Sequence, residues 1–344
     1  MPWRIDWKNA EQEFHEVSGV QADLQHQGAP TVSAIVVSYF TGPVLARSIE
    51  ALRAQPDIAE IIIVDNGNFP GHADAATSSK GAPSVKLVSG HGNIGFAAGC
   101  NLGVSHSSGK LLLFINPDAI MQPDSVSRLL ADARDIEQPW LMGAKLVGPD
   151  GEEQQGSRRR VLTPWTAFVE LTRLYKLAPG HPYFRRFNMH TDECPQGLIE
   201  VPTLSGAVML LPREDFDAVD GMDERYFLHV EDVDFCLRFA KAGGHIYFNP
   251  AVSVLHFKSS SRANPVRIEA RKTAGIIRYF HTHFSHAYPK PFLWFVDGAL
   301  WIAFGLLFVK RAFLKIFRLA GFRARRGGSG VRRARSISRR QSQR

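Results

Sequence analysis

Cysteine is scarce in this chain. Cys100, Cys194 and Cys236 are the only three in 344 residues, and their wide spacing offers neither a disulfide framework nor a CxxC metal site. They are expected to be reduced bystanders. The opening Met1-Pro2-Trp3-Arg4-Ile5-Asp6-Trp7 lacks the apolar stretch of a secretory signal, so the body of the chain is expected to stay in the cytosol. Acidic residues are missing altogether between Lys310 and Arg344, where 13 Lys and Arg stand. The formal charge of +8 is therefore a property of the tail, because the remaining 28 basic residues face 33 acidic ones, a net of −5. Such basicity bears on solubility and nonspecific partners and says nothing of the substrate of the folded part. Long apolar runs are also lacking until residues 291–309, interrupted by Asp297, which approach the roughly 20 residues that cross a bilayer. A single crossing would export the basic tail from a cytosolic body, against the positive-inside rule. A helix lying at the interface, or bent back near Gly298 or Gly305, is expected instead. The Gly-, Ser- and Arg-rich residues 323–344 suit a disordered tail drawn to anionic lipid, with no nucleic acid expected.

What is present is an ordinary globular composition, 44% hydrophobic and 22% charged, sufficient for one large or two modest domains. Strand signals at 32–37, 61–64, 85–88 and 111–115 alternate with helical stretches at 43–54 and after Gly95, the pattern of an α/β fold with a mostly parallel sheet flanked by helices. The run Leu111-Leu112-Leu113-Phe114-Ile115 suits a strand covered on both faces, and Pro117 cannot continue its ladder. Asp118 is thereby delivered at the carboxyl end of a central strand, where open α/β sheets bind ligands. Residues 154–197, with Arg158-Arg159-Arg160 and several aromatics, read as an insertion or lid. A strand within 201–212, a helix from Glu231 to about Ala242, and late strands at 246–248 and 252–257 complete the body. The expected division is an extension at 1–30, one domain at 31–260, a C-terminal helical membrane-associating segment at 261–320 and a basic tail at 321–344.

Local chemistry alone leaves several roles open. Glu231, Asp232 and Asp234 at a helix start complement the dipole, worth a few tenths to about 1 kcal/mol each, and cannot all face one way. His256 by itself reads as a core histidine. His281, His283 and His286 match no familiar ligand spacing and suit a solvated segment. Gly90-His91-Gly92-Asn93-Ile94-Gly95 spells GxGxxG, but a dinucleotide site wants an acid about 20 residues on, and positions 104–117 hold none.

Taken in order, Val36-Val37-Ser38-Tyr39, Val64-Asp65-Asn66, the stretch from Asn93 to Gly103, Asn116-Pro117-Asp118 and Glu231-Asp232-Val233-Asp234 resemble the inverting family 2 glycosyltransferases of the GT-A fold. The likeness is strongest to the bacterial rhamnosyltransferase branch. It implies a dTDP- or UDP-sugar donor, a glycan or lipid-linked acceptor, a divalent cation (Mg²⁺ or Mn²⁺), and work at the cytoplasmic face of the inner membrane, on an anionic surface reached by the C-terminal segment. By the same resemblance Asp232 is the catalytic base, with Glu231 tuning it or positioning the acceptor beside Ser205 and Gly206, and Asp234 caps the helix. Ser38, Tyr39, Asp65, Asn93, Gly95 and Asn101 border the donor, together with Asn116 and Asp118. Asp118 and His256 hold the metal. The family usually has a carboxylate where Asn116 stands, so Asp118 is left as the main protein anion on the cation. Rival readings are a sugar nucleotidyltransferase, which would want a basic glycine-rich loop after the first strand, and a non-catalytic membrane-tethered scaffold.

Overall fold

A computed structural model describes residues 31–67, 83–178, 180–257 and 264–310. The expected N-terminal extension and the basic tail lie outside the described residues. The first half runs β1 (Val32–Ser38), α1 (Val44–Arg53), β2 (Ile58–Asp65), β3 (Ser84–Val88), α2 (Phe96–Ser105), β4 (Leu111–Ile115), β5 (Ala119–Met121), α3 (Ser125–Ala133) and β6 (Trp140–Val147). The second half adds β7 (Arg158–Arg159), α4 (Pro164–Thr172), β8 (Ile199–Glu200), β9 (Thr203–Leu204), β10 (Val208–Pro212), α5 (Arg213–Asp217), α6 (Glu231–Lys241), β11 (His245–His256), α7 (Pro265–Phe284) and α8 (Lys290–Lys310).

Among the described residues a nine-stranded sheet follows the order β3-β2-β1-β4-β10-β6-β11-β5, with β8 paired to β11. Strands β3, β2, β1 and β4 are parallel. The chain moves outward from β1 to β3 and returns to β4, so the carboxyl ends of β1 and β4 flank a topological switch point. β10 then runs antiparallel between β4 and β6, and β11 lies parallel to β6. Because successive strand residues point to opposite faces, Val32, Ala34 and Val36 join Leu45 and Ile49 on one side, while Ile35 and Val37 join Ala97, Phe235 and Phe239 on the other. Both faces are thus covered, which is why β4 can be apolar throughout.

Two expected elements differ in detail. The late strands are one strand, β11, whose pairing with β6 is interrupted between Asn249 and Ser253. There Asn249 Oδ1 accepts the amides of Ala251 and Val252, replacing ladder bonds across the irregularity. The expected strand at 201–212 is split into β9 and β10 by Ser205-Gly206-Ala207, whose backbone groups are diverted to the site described below. A third apolar cluster joins Leu162 and Ala167 to Tyr226, Val230 and Val233 of the α6 approach and to Tyr279, Phe280, Leu293 and Val296 of α7 and α8.

Candidate active site

The switch point collects the first group of side chains. Ser38 ends β1 opposite Asp65 in register, and its hydroxyl shares a 2.9 Å hydrogen bond with that of Thr41. Asp65 Oδ1 accepts the Gly67 amide at 2.9 Å, closing its own turn. Tyr39 stands edge-on to Phe40 with ring centroids 4.7 Å apart, at a bend where Phe40 has φ 46°. Asn66, not singled out from the sequence, donates to the Gly95 carbonyl at 2.8 Å and ties the end of β2 to the start of α2.

The glycine-rich stretch serves packing. Gly95 has φ 93°, and a Cβ there would meet the Phe227 carbonyl at 2.5 Å. Asn93 Oδ1 accepts the Gly95 amide at 3.1 Å, fixing the turn. Asn101, expected near the donor, is directed elsewhere: its amide donates to the Met222 carbonyl at 2.8 Å and to Glu224 at 2.9 Å, and its oxygen accepts the Met222 amide at 3.0 Å. The physical reason is that a buried turn at 221–222 needs those partners.

At the end of β4 the structure brings together Asn116, Asp118 and His256. Asp118 Oδ1 lies 3.3 Å from His256 Nε2, and Asn116 Nδ2 lies 3.3 Å from the same nitrogen. Gln154 decides how the imidazole is presented. Its amide nitrogen donates to the His256 carbonyl at 2.6 Å, so its oxygen, 2.9 Å from Nδ1, is the acceptor of the Nδ1 proton. With Nδ1 as the donor, Nε2 of a neutral imidazole would present a lone pair toward the Asp118 carboxylate. Two such acceptors facing each other at 3.3 Å suit a bound cation, and the oxygen and imidazole donors suit Mg²⁺ or Mn²⁺. Among the described residues no cluster of three or more His, Cys, Asp or Glu side chains could hold an ion. Remaining ligands would have to come from substrate or water.

The second acidic group stands at the start of α6. His229 and Val230 both have positive φ, 67° and 76°, costly conformations for residues with a Cβ and most so for a β-branched one. This turn aims Glu231 and Asp232 inward. Asp232 Oδ2 accepts from Arg159 Nη2 at 2.7 Å and from the Gly206 amide at 3.0 Å. A Cβ on Gly206 would come within 3.2 Å of that of Asp232, so glycine permits the approach. Burial by itself would raise the Asp232 pKa, but the Arg159 charge and hydrogen bond, with the Gly206 amide, hold it below the usual carboxylate range. Glu231 is pushed well above that range, by burial first and by the Asp232 charge second. Its Oε2 is buried with no hydrogen-bond partner among the described residues. Ser205 completes the edge, its hydroxyl accepting the Ala207 amide at 3.3 Å.

Asp234 does not cap the helix. Its Oδ1 accepts from His283 Nε2 at 2.7 Å and its Oδ2 from Arg238 Nε at 2.7 Å, both pointing away from the cleft. His283 is accordingly buried, correcting the solvated reading of that histidine, while His281 donates to Asp297 on α8 at 2.7 Å.

The two acidic groups are neighbours through two consecutive residues. The Gly206 amide holds Asp232, and the Ala207 carbonyl accepts the Asn116 amide at 3.0 Å. Arg159 and Gln154 had no individual signal in the sequence. Their places depend on the short β7–β9 pairing and on the 154–159 segment folding back across both groups.

The sequence profile described as Glycosyl transferase family 2 matches residues 33–194, and one described as N-terminal domain of galactosyltransferase matches residues 193–261. An N-acetylglucosaminyl-diphospho-decaprenol L-rhamnosyltransferase of Mycobacterium tuberculosis is 27% identical over 280 residues, covering 77% of this chain and 89% of its own. Rhamnosyltransferase WbbL of Escherichia coli is 24% identical over 233 residues, covering 66% and 83%. Among solved structures, GalNAc-T7 with UDP, GalNAc and Mn2+ superposes with a TM-score of 0.55 at 14% identity, over 76% of this chain and 49% of that one. The mannosyltransferase PcManGT from Pyrobaculum calidifontis, in complex with GDP-Man and Mn2+, gives 0.52 at 14% identity over 90% and 86%. The chain thus spans about half of the first of these structures and most of the second. Both likenesses are of fold.

Proposed function

We propose that the chain, whose residues 33–194 match glycosyltransferase family 2 and whose relatives include rhamnosyltransferases, is an enzyme of the rhamnosyltransferase type and transfers L-rhamnose, with inversion, from a dTDP- or UDP-linked donor to a lipid-borne or polysaccharide acceptor. The observation that carries this reading is the Gly206-Ala207 link, which sets a buried carboxylate beside the strand-end group of Asn116, Asp118 and His256.

Ser38, Tyr39 and Asp65 cradle the nucleoside at the ends of β1 and β2. Asp65 Oδ1 accepts the amide of its own turn, and a carboxylate suits the imide N–H of uracil or thymine but would repel the acceptor N1 of adenine. The diphosphate falls at Asn116, Asp118 and His256, where Asp118 and His256 would hold a divalent cation. Such a cation, when bound, neutralises charge on the departing diphosphate. Asp232 takes the proton of the acceptor hydroxyl as its oxygen attacks the anomeric carbon from the face opposite the leaving group. The new C–O bond forms as the bond to phosphate breaks, and the proton ends on the carboxylate. Glu231 keeps its own proton, and its unpartnered Oε2 is placed to bind an acceptor hydroxyl.

A lipid-borne acceptor is supported by α8, which is long and apolar enough to cross a membrane by length and composition. Its Trp294, Phe295, Trp301, Ile302 and Leu306 are exposed. The mycobacterial relative is named for a decaprenol-linked acceptor. We place α8 in the interface of the cytoplasmic leaflet, where nucleotide sugars are available. The test is to incubate the protein with dTDP-rhamnose and other pyrimidine and purine nucleotide sugars, with and without Mn²⁺, and an N-acetylglucosaminyl diphospholipid. Metal-stimulated release of dTDP or UDP with a product of inverted anomeric configuration is expected. No turnover of any pyrimidine donor would overturn the reading.

A further inference from the structure

Arg159 takes no part in the reaction above, yet its guanidinium sits on the atom that the reaction needs. Nη2 donates to Asp232 Oδ2 at 2.7 Å, with both side chains only 12% exposed. The same oxygen accepts the Gly206 amide at 3.0 Å, and Oδ1 accepts the Val233 amide at 2.9 Å. A carboxylate offers about four acceptor positions, so little of Asp232 is left for an incoming hydroxyl. Arg159 is itself steadied by donation from Nε to the Gly156 carbonyl at 2.9 Å and by the Phe187 ring, 5.8 Å from its carbon. Other ionisable groups facing Asp232 are Glu231 on its own helix, His229 in the preceding turn and Cys236 a turn on. His229 in turn faces Lys272 and Glu269 of α7, and Glu231 faces Cys100 of α2. Arg159 is the cation hydrogen-bonded to the carboxylate.

Separating a guanidinium from a buried carboxylate is strongly unfavourable unless the carboxylate gains a proton and another anion takes up the guanidinium. A neutral sugar hydroxyl supplies no such anion, whereas a phosphate matches the guanidinium fork. We propose that Arg159 is an exchangeable counterion of Asp232, released by an acceptor that carries its own phosphate: the guanidinium passes its Nη2 hydrogen bond from Oδ2 to a phosphate oxygen of a diphospholipid-linked sugar, and Oδ2 is freed for the hydroxyl proton. Arginine stays protonated throughout, and the proton moves only from hydroxyl to carboxylate. The base is thus uncovered when the right acceptor arrives. The inference rests on Asp232 being the base.

The experiment compares Arg159→Gln, Arg159→Lys and Asp232→Asn, using a short-chain N-acetylglucosaminyl diphospholipid and the matching glycoside with an uncharged aglycone. Arg159→Gln is expected to move the acid limb of kcat/KM upward by about one pH unit or more, the lower end of what an adjacent guanidinium does to a carboxylate. It should raise KM for the diphospholipid about tenfold or more, the loss of a hydrogen bond to a charged group, and leave KM for the uncharged acceptor unchanged. Arg159→Lys keeps the charge without the fork, so the acid limb returns toward wild type while part of the KM effect persists. That variant carries the test should the glutamine form not fold. An unmoved acid limb, or equal KM changes for both acceptors, overturns the proposal while the base assignment stands. Near-normal turnover by Asp232→Asn overturns the base assignment itself.

Discussion

Asp118 and Asp232 are both buried carboxylates, and Gly206-Ala207 links Asp232 to Asn116, two residues before Asp118, but the fold treats them in opposite ways. Asp118 is set against the lone pair of His256, which Gln154 holds in the tautomer that donates no proton toward it. Asp232 is already neutralised by Arg159 and two backbone amides. On the roles proposed above, the first would bind a cation and the second would give one up. Burial alone therefore does not make carboxylates interchangeable; the charge next to each decides its task.

The contrast can be broken most forcefully at Asp118. Asp118→Ala should lower metal-stimulated turnover by about a thousandfold, the several kcal/mol that a cation supplies to a developing phosphate charge. A mild loss, with the wild-type Mn²⁺ dependence intact, would mean that the ion is held elsewhere. Asp232→Asn should cost ~10²–10⁴-fold in kcat, the usual worth of a general base, and added Mn²⁺ should not rescue it. Rescue would merge the two acids into one role. Gln154→Ala sharpens the comparison from behind His256: loss of such an orienting partner typically weakens metal affinity 10–100-fold, so the Mn²⁺ titration of activity should shift by that amount with little change at saturation.

The smallest effects are on stability and have opposite signs. Glu231 has a raised pKa, so its contribution is complete below the unfolded value near 4.5 and is lost as pH rises from there toward the folded value. Glu231→Gln removes that loss, and its melting temperature should gain on wild type as pH increases above about 4.5. Asp234 has a pKa held below 3.8, against burial, by His283 and Arg238, so its contribution is present above that value and disappears as pH falls through the folded one. Asp234→Asn should narrow its stability deficit in acid. Thermal unfolding over a pH series reads both.

Much of the first half of the sheet was legible in the chain because its signals are local. An unbroken apolar run stopped by Asn116-Pro117-Asp118 fixes both a buried strand and the place where it opens, and Asp65-Asn66-Gly67 does the same for β2. The second half resisted for a physical reason. Arg159 reaches Asp232, 73 residues away, only through two-residue strands that carry no periodicity. His283 reaches Asp234 over 49 residues, from a segment whose sequence looks solvated until the partner is known. Asn101 misled because an asparagine beside glycines suits a ligand as well as a turn, and the Met222 backbone claims it. Within β11, Asn249-Pro250-Ala251 looks like a break, yet the Asn249 side chain supplies the acceptor that lets the strand continue.

Asp234 has one more consequence. It lies two residues beyond Asp232 on α6, and His283 fastens it to the last turn of α7, while His281 meets Asp297 and the buried Leu293 and Val296 seat the first turns of α8. The apolar outer surface of α8 is thus connected through side-chain contacts to the helix that carries Asp232. Were α8 held on a lipid surface, that connection would set the height of Asp232 above the headgroups, and the protein would act as a ruler. It would favour acceptors whose reactive hydroxyl stands one fixed distance from the bilayer, and discriminate against chains grown too long to present it there.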